Sequence, residues 1–377
     1  MIPALLAMSL QAGFDPARLA AIPPRMKSFV DRGEVAGTVV LVARRGKTVL
    51  LDAEGQADLA TKRPMRPDTI FQIMSMTKPV TALAVVMCAE EGLLNLDDPI
   101  DRVLPEFRDL KVKEADGTLR TPDRKPTLRN FLTHTSGYSG NDPGGLDDDT
   151  KRKLTLAEYA SLLAKEPLVG EHGTVIRYSG TGMAALGRAV EVATGMRLEE
   201  FERKKIFEPL GMKDTFFFAP EDRHPRIATV YAKGDKGLET IEPDPYRKGA
   251  RFANPAGGLY STAGDMAKLL NSVLGYGPRI VSPAAVAAMT AVQTGNLLMD
   301  GSDAQAFGLG FAVVRSPAGQ MSLKPVGAFG HTGAFGTEFW ADKERGIVAV
   351  FMAQGFDNTT AARKTFNTMV NAAFVVP

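Results

Sequence analysis

Short runs of apolar and β-branched residues near both ends of this 377-residue chain limit its fold more than any other feature. Residues 38–43 and 48–51 are two such runs, and a glycine-containing turn joins them, which predicts a hairpin. Residues 308–314, 337–340 and 347–352 are further runs near the C-terminus. Because helical patterns fill the middle of the chain, we expect the two ends to pair in one antiparallel sheet.

Helical patterns and loops dominate the stretch between these strands. Thr155 opens a helix with a capping box, and residues 183–194 form an amphipathic pattern that ends at a glycine. We therefore predict an α+β protein in which residues 1–80 and 256–377 form an antiparallel sheet flanked by helices. Residues 81–255 are predicted to form an inserted, mainly helical domain, with the active site in the cleft between the two domains.

The composition is that of an ordinary globular protein and argues against several classes of function. Hydrophobic residues make up 44% of the chain, charged residues make up 23%, and the formal net charge is only +2. No run of lysine or arginine indicates a nucleic-acid or membrane surface, and no apolar run is long enough to span a bilayer. Residues 1–10 are apolar but lack a basic segment and a clear cleavage site, so we expect no signal peptide and a cytoplasmic location.

The sequence also lacks the motifs of cofactor sites. None of the four histidines has the spacing of a metal site, and neither a P-loop nor a Gly-x-Gly-x-x-Gly after a strand is present. We therefore expect no metal and no cofactor. Cys88 is the only cysteine, which excludes an intrachain disulfide, and its place in an apolar helical pattern predicts a buried thiol.

The segment Ser75-Met76-Thr77-Lys78 indicates chemistry more strongly than any other. Positions three apart share a face of a helix, so the Lys78 amine can reach the Ser75 hydroxyl. A hydroxyl is a poor nucleophile until a base takes its proton, and an amine with a lowered pKa can be that base. The N–H groups at a helix N-terminus can also stabilise an oxyanion. The structural alternative is that Ser75 caps the helix and Lys78 is solvated.

Two later segments carry groups that can act on the same hydroxyl. Tyr178 lies in a loop before a helix, and a tyrosine can act as a base where a cation such as Lys78 lowers its pKa. The alternative is a packed tyrosine. Residues 330–336 are rich in glycine, so the backbone can approach a ligand closely and the N–H of Ala334 can donate to an oxyanion. The alternative is a flexible turn with a surface histidine.

Two residues near the middle of the chain are not predicted to be catalytic. Residues 137–141 miss Gly-x-Ser-x-Gly because Asn141 replaces the last glycine, and no strand precedes them, so Ser139 is rejected as a nucleophile. His134 is predicted to anchor a loop through a hydrogen bond rather than to serve in a catalytic triad.

Taken together, these motifs resemble the serine β-lactamase and penicillin-binding-protein superfamily, and specifically its class C β-lactamase-like esterases, the family VIII carboxylesterases. The order is Ser-x-x-Lys, a loop tyrosine about a hundred residues later, and a glycine-rich x-Thr-Gly strand near the end. The likeness extends from about Gly37 to Met352. Further matching segments are residues 71–78, 92–99, 132–137, 206–212 and 254–259.

The resemblance implies a β-lactamase-like fold and a role for each matching position. Ser75 is implied to be the acylated nucleophile, Lys78 its partner, and Tyr178 the base. The N–H groups of Ser75 and Ala334 are implied to form the oxyanion hole. The implied substrate-binding residues are Tyr138, Asn254, His331, Thr332 and Gly333.

Two departures from the superfamily point towards neutral esters. β-Lactamases and D-alanyl-D-alanine peptidases usually carry Lys-Thr-Gly at the third motif, whereas this chain has His331-Thr332-Gly333. A histidine of ordinary pKa is mostly neutral at pH 7, so capture of a carboxylate is expected to weaken. Tyr178 is followed by Ser-Gly rather than by the x-Asn of class C β-lactamases.

We therefore expect a serine carboxylesterase that hydrolyses small, short-chain esters through a Ser75 acyl-enzyme, with no nucleic-acid or membrane partner and an undetermined oligomeric state. An acyltransferase using the same acyl-enzyme is an alternative. A β-lactamase, a D-alanyl-D-alanine carboxypeptidase or another amide-cleaving enzyme also remains open. The alternative from a different class is a non-catalytic protein that binds amides or peptides on the same scaffold.

Overall fold

A computed structural model describes residues 13–241, 249–318 and 322–375 of the chain. Residues 1–10, for which no signal peptide is expected, lie outside the described residues. In the described ranges, no helix is both long enough and apolar enough to cross a lipid bilayer.

The strands and helices of these ranges follow the predicted order, with strands near both ends and most helices between them. The strands are β1 (Gly37–Arg44), β2 (Lys47–Asp58), β3 (Arg63–Pro64), β4 (Phe71–Gln72), β5 (Val112–Lys113), β6 (Leu119–Arg120), β7 (Tyr231–Gly234), β8 (Gly237–Thr240), β9 (Tyr260–Ser261), β10 (Gln305–Phe307), β11 (Ala312–Val314), β12 (Phe329–Gly333), β13 (Thr337–Asp342), β14 (Ile347–Ala353) and β15 (Gly355–Phe356). The helices are α1 (Pro16–Ala20), α2 (Ile22–Asp31), α3 (Thr77–Glu90), α4 (Ile100–Val103), α5 (Leu128–Leu132), α6 (Asp148–Lys153), α7 (Leu156–Leu163), α8 (Gly182–Thr194), α9 (Leu198–Glu202), α10 (Glu208–Leu210), α11 (Ala263–Val273), α12 (Pro283–Thr290) and α13 (Thr360–Ala373).

One eight-stranded sheet runs in the order β10-β11-β12-β13-β14-β1-β2-β3, and its neighbouring strands are antiparallel. The predicted hairpin is the pair β1 and β2. Strand β14 pairs with β1, so the sheet joins segments from the two ends of the chain. The predicted α+β, β-lactamase-like fold is confirmed, whereas the division at residues 80 and 256 stays a prediction.

Both faces of the central strands are covered. Every residue of β1 and β14 is buried, because helices pack on the sheet from both sides. Helix α11 packs on β14 and β1 from one side, and α13 and α2 pack on the same strands from the other. The turn that leads into the N-terminus of α3 packs against β12 at the edge of this covered region of the sheet.

Two strand predictions were wrong in their bounds. Residues 48–51 were expected to form a short strand, but β2 runs over Lys47–Asp58. Residues 308–314 were expected to form a single strand, but only Ala312–Val314 does so, and Gln305–Phe307 forms a separate strand before it. Gly310 has a φ of 82° and so turns the chain between the two. At Gly308 a Cβ would lie 2.0 Å from the Met289 carbonyl oxygen, which shows a close backbone approach instead of a regular ladder.

Candidate active site

Ser75 lies in a tight turn that leads directly into helix α3. The turn is the 3₁₀ helix Met74–Met76, and Met74 has a φ of 48°, which residues with a side chain rarely adopt. The N-cap of α3 is Met76, and no side chain caps it. Ser75 is therefore not a helix cap; its side chain lines a cavity instead.

Lys78 lies one turn further along and is buried, with 2% of the residue exposed. Its Nζ lies 2.8 Å from the Ser75 Oγ and also donates to the carbonyl oxygen of Ala256 at 2.7 Å. Burial lowers the pKa of Lys78 to about 7. The alternative of a solvated lysine is thus excluded, and a large share of the amine is neutral at neutral pH.

Asn254 shapes the turn that presents this carbonyl to Lys78. Its Oδ1 accepts a hydrogen bond from the N–H of Ala256 at 2.9 Å, and its own carbonyl oxygen accepts one from the N–H of Gly258 at 2.9 Å. Asn254 does not line the cavity beside Ser75. The structure therefore places this sequence-predicted substrate-binding residue behind Lys78 rather than against a substrate.

Tyr178 reaches Ser75 from the other side. Tyr178 and Ser75 line the same cavity, and the Tyr178 ring centroid lies 4.9 Å from the Lys78 Nζ, which itself lies 2.8 Å from the Ser75 Oγ. Burial raises the pKa of Tyr178 to about 12, although its interaction with the Ser75 hydroxyl opposes this rise. The expectation that Lys78 lowers this pKa is wrong for the free protein, because burial removes much of the charge of Lys78 itself. At neutral pH the phenol is therefore protonated.

The glycine-rich segment brings a strand end against the residues before Ser75. A Cβ on Gly333 would lie 2.3 Å from the carbonyl oxygen of Ile73 and 2.2 Å from the Thr337 Oγ1, so only glycine fits. The Thr337 hydroxyl donates to the same Ile73 carbonyl at 3.0 Å. Ala334 follows Gly333 directly and lines the cavity together with Ser75. The two backbone groups implied to form an oxyanion hole thus border one space.

His331 and Thr332 form an edge of the same cavity. His331 is buried, and its Nδ1 lies 2.8 Å from the Thr332 carbonyl oxygen, so the Nδ1 carries a proton. Its Nε2 then offers a lone pair, and this atom has no hydrogen-bond partner among the described residues. Burial lowers the pKa of His331 to about 3. The alternative of a surface histidine is therefore wrong.

Tyr138 does not reach this site. The residue is 1% exposed, its ring packs against Phe107 and Phe131, and its hydroxyl donates to the carbonyl oxygen of Leu163 at 3.2 Å. It does not line the cavity. The structure assigns it to the core of the helical region, so we leave it out of the proposed site.

The cavity has a volume of about 480 Å³ and is open to solvent on one side. Its walls include residues that no sequence motif indicated, because tertiary packing alone brings them beside Ser75. The apolar wall includes Met299, Phe307 and Phe329. At the far end Lys324 Nζ lies 2.8 Å from the buried carboxylate of Glu338. In the part of the chain that the structure describes, no group of three histidine, cysteine, aspartate or glutamate residues could hold a metal ion.

Known proteins are similar to this chain in sequence and in fold. The profile of the family described as Beta-lactamase matches residues 23–373. Protein Rv1367c of Mycobacterium tuberculosis is 32% identical over 87% of this chain and 88% of its own length. Esterase EstB of Burkholderia gladioli is 31% identical over 92% of both chains. The solved structure of EstCE1, described as a hydrolase with promiscuous acyltransferase activity, superposes with a TM-score of 0.80 at 24% identity, over 95% of this chain and 99% of that one. The expected superfamily is thus confirmed, and with it a hydrolase: the chain belongs to the beta-lactamase family.

Proposed function

We propose that the protein is a serine carboxylesterase that hydrolyses small carboxylic esters through an acyl-enzyme on Ser75. One observation carries this proposal. A buried amine with a pKa of about 7 lies 2.8 Å from a serine hydroxyl that lines an open cavity. A neutral amine at that distance can take the hydroxyl proton at neutral pH. The relationship to the esterase EstB supports ester hydrolysis.

In the first step Lys78 accepts the proton of Ser75 while the Ser75 oxygen attacks the ester carbonyl carbon. The carbonyl oxygen becomes an oxyanion, and the N–H groups of Ser75 and Ala334 stabilise it. Ser75 lies in the first turn of a helix, where backbone N–H groups have no partner within the helix. We assign proton acceptance to Lys78 rather than to Tyr178, because the phenol is protonated at neutral pH.

Tyr178 is suited to return this proton to the leaving alcohol. Its side chain interacts with the Ser75 hydroxyl and lines the same cavity, so the phenol borders the bond that breaks. The phenol gives its proton to the departing oxygen and regains one from the Lys78 ammonium, which leaves the amine neutral again. Water then attacks the acyl-enzyme, with Lys78 and Tyr178 repeating these transfers in reverse.

The edge formed by His331 favours neutral esters over substrates with a carboxylate. His331 is uncharged at neutral pH, and the Nε2 lone pair faces no donor within the described residues. An acceptor cannot bind a carboxylate, which also only accepts, whereas the lysine of a Lys-Thr-Gly motif donates to it. A β-lactamase or a D-alanyl-D-alanine carboxypeptidase is therefore the less favoured function of this site.

A substrate panel tests the proposal. The wild-type protein is expected to hydrolyse p-nitrophenyl acetate and butyrate much faster than nitrocefin. Ser75→Ala is expected to lose about four orders of magnitude in kcat on both esters. Ser139→Ala is the matched control, since this serine lies outside the cavity beside Ser75, and it is expected to keep the wild-type rate. Equal ester rates for wild type and Ser75→Ala contradict the proposal, and faster turnover of nitrocefin supports the β-lactamase alternative.

A further inference from the structure

The histidine at position 134 is buried in a backbone conformation that histidine rarely adopts. It follows helix α5 by two residues, its φ is 56°, and only 1% of the residue is exposed. The sequence predicts only that it anchors a loop. In the structure, that loop is the one that carries Tyr178.

His134 contacts three successive residues of that loop. Its carbonyl oxygen accepts a hydrogen bond from the N–H of Arg177 at 2.7 Å, and its Nδ1 accepts one from the N–H of Ser179 at 3.3 Å. Between these two, the Tyr178 ring packs on the imidazole with centroids 4.6 Å apart. One residue thus holds both backbone neighbours of Tyr178 and one face of its ring.

This contact matters because the rest of the protein encloses Tyr178 only in part. Tyr178 is 36% exposed, and it is one of the residues that line the cavity beside Ser75. Phe307 completes the packing behind it, with its centroid 4.7 Å from that of His134 and 6.3 Å from that of Tyr178. Without the imidazole, the loop loses a hydrogen-bond acceptor and a ring contact, and the phenol is free to leave Ser75.

The imidazole carries a cost to stability. Since Nδ1 accepts, the proton lies on Nε2, and this buried atom has no hydrogen-bond partner among the described residues. A leucine would avoid that unpaired donor but would leave the Ser179 N–H without its acceptor. An unpaired donor and an unfavourable φ at one residue are typical of positions where geometry matters more than stability.

His134 is uncharged around neutral pH, which preserves its hydrogen bond with the Ser179 N–H. Burial lowers the pKa of His134 well below its usual value, and Lys78 and His331, the titratable groups that act on it, lower it further. The imidazole is therefore neutral at neutral pH, and its Nδ1 remains an acceptor.

We propose that His134 is a positioning residue that holds the Tyr178 hydroxyl against Ser75. The proposal rests on the proposed function, since it assigns to His134 an effect on the proton that Tyr178 gives to the leaving alcohol. It therefore predicts a dependence on the leaving group that general destabilisation would not produce. An alkoxide needs that proton to leave, whereas p-nitrophenolate is a stable anion that needs little help.

The test compares ethyl butyrate and p-nitrophenyl butyrate, which share an acyl group, on wild type and His134 variants. His134→Ala is expected to lower kcat/KM about a hundredfold for the ethyl ester and only several-fold for the p-nitrophenyl ester. His134→Asn is expected to recover much of the loss, because its Oδ1 can replace the Nδ1 acceptor and asparagine tolerates a positive φ. In a Tyr178→Phe background, His134→Ala is expected to change either rate little. His224→Asn, a histidine away from the site, is the control.

Three results would overturn the inference: an equal loss on both esters, an Asn variant as slow as the Ala variant, or the same loss with and without the Tyr178 hydroxyl. Circular dichroism checks folding, and if His134→Ala does not fold, His134→Phe, which keeps a ring but has no acceptor, replaces it in every comparison. Failure of the proposed function is distinguishable, because then wild type hydrolyses neither ester or Ser75→Ala remains active.

Discussion

The two segments that meet at Ser75 are built in different ways. Helix α3 supplies Lys78 and continues directly from the turn that carries Ser75, and residues 77–88 of this helix are all buried, so the core fixes it on every side. In the second segment, Tyr178 is 36% exposed, and the side chain and backbone of His134 hold the loop that carries it. Under the proposed mechanism, the helix determines whether the chemistry can occur, while the loop determines how well the proton reaches the leaving group.

Of the substitutions in helix α3 and in the Tyr178 loop, replacement of Lys78 should lower kcat/KM the most. Lys78→Ala removes the proton acceptor, and we expect kcat/KM for p-nitrophenyl butyrate to fall by about three orders of magnitude. Lys78→Arg should be about as inactive, because a guanidinium keeps its proton at every working pH. An Arg variant with near wild-type activity would show that Lys78 acts through its charge and not as a base.

Replacing the phenol should have a smaller effect that depends on the leaving group. For Tyr178→Phe we expect kcat/KM to fall about a hundredfold for ethyl butyrate and by clearly less for p-nitrophenyl butyrate. The ratio of the two rates measures proton donation directly. If kcat/KM falls by the same factor for both esters, Tyr178 is not the proton donor, and the loop then has no separate role in the departure of the leaving group.

The pH dependence of kcat/KM should reflect the pKa of Lys78 in the helix and not that of Tyr178 in the loop. Burial lowers the pKa of Lys78 from 10.5 to about 7, and only the neutral amine accepts a proton. We therefore expect kcat/KM to fall about tenfold for each pH unit below 7 and to level off above it. Tyr178→Phe should keep the same inflection at a lower rate. A flat profile between about pH 5 and 8, or a rise towards acid, contradicts the assignment.

A substitution at the end of strand β12, where Gly333 packs against Ile73 just before Ser75, should have the smallest effect on the rate. Gly333→Ala places a Cβ against the carbonyl oxygen of Ile73, so the turn that carries Ser75 must shift, and we expect about a tenfold lower kcat and a lower Tm. Gly170→Ala is the matched control, since a Cβ at that position would meet no atom within 4 Å and its backbone is not left-handed. Equal Tm and kcat values for both variants would show that β12 does not constrain Ser75.

Local periodicity explains which parts of the site could be predicted from the sequence. Ser75 and Lys78 are three residues apart where a 3₁₀ turn continues into helix α3, so the contact between them followed from the sequence alone. Strands near both ends were also located from the sequence, but β2 runs further than predicted and Gly310 breaks the strand expected over residues 308–314. In contrast, Phe307 and Lys324 reach the cavity only through the packing of separate strands and loops, and no short motif marks them.

The same limit applies to two residues that the family resemblance implied. Tyr138 belongs to an aromatic cluster with Phe107 and Phe131, and Asn254 organises the turn behind Lys78. Motif matching located the segments of both residues but could not tell which way their side chains point. The pKa of Tyr178 was missed for a related reason, since burial cannot be read from neighbours in the sequence.

Trapping the acyl-enzyme tests the central claim most directly. Wild-type protein is mixed rapidly with p-nitrophenyl butyrate, quenched in acid during the burst, and digested for peptide mapping by mass spectrometry. We expect a butyryl group on Ser75 in an amount that matches the burst of p-nitrophenol, and no adduct in Ser75→Ala. A burst with the butyryl group on any other residue, or turnover with Ser75 unmodified throughout, would contradict the account.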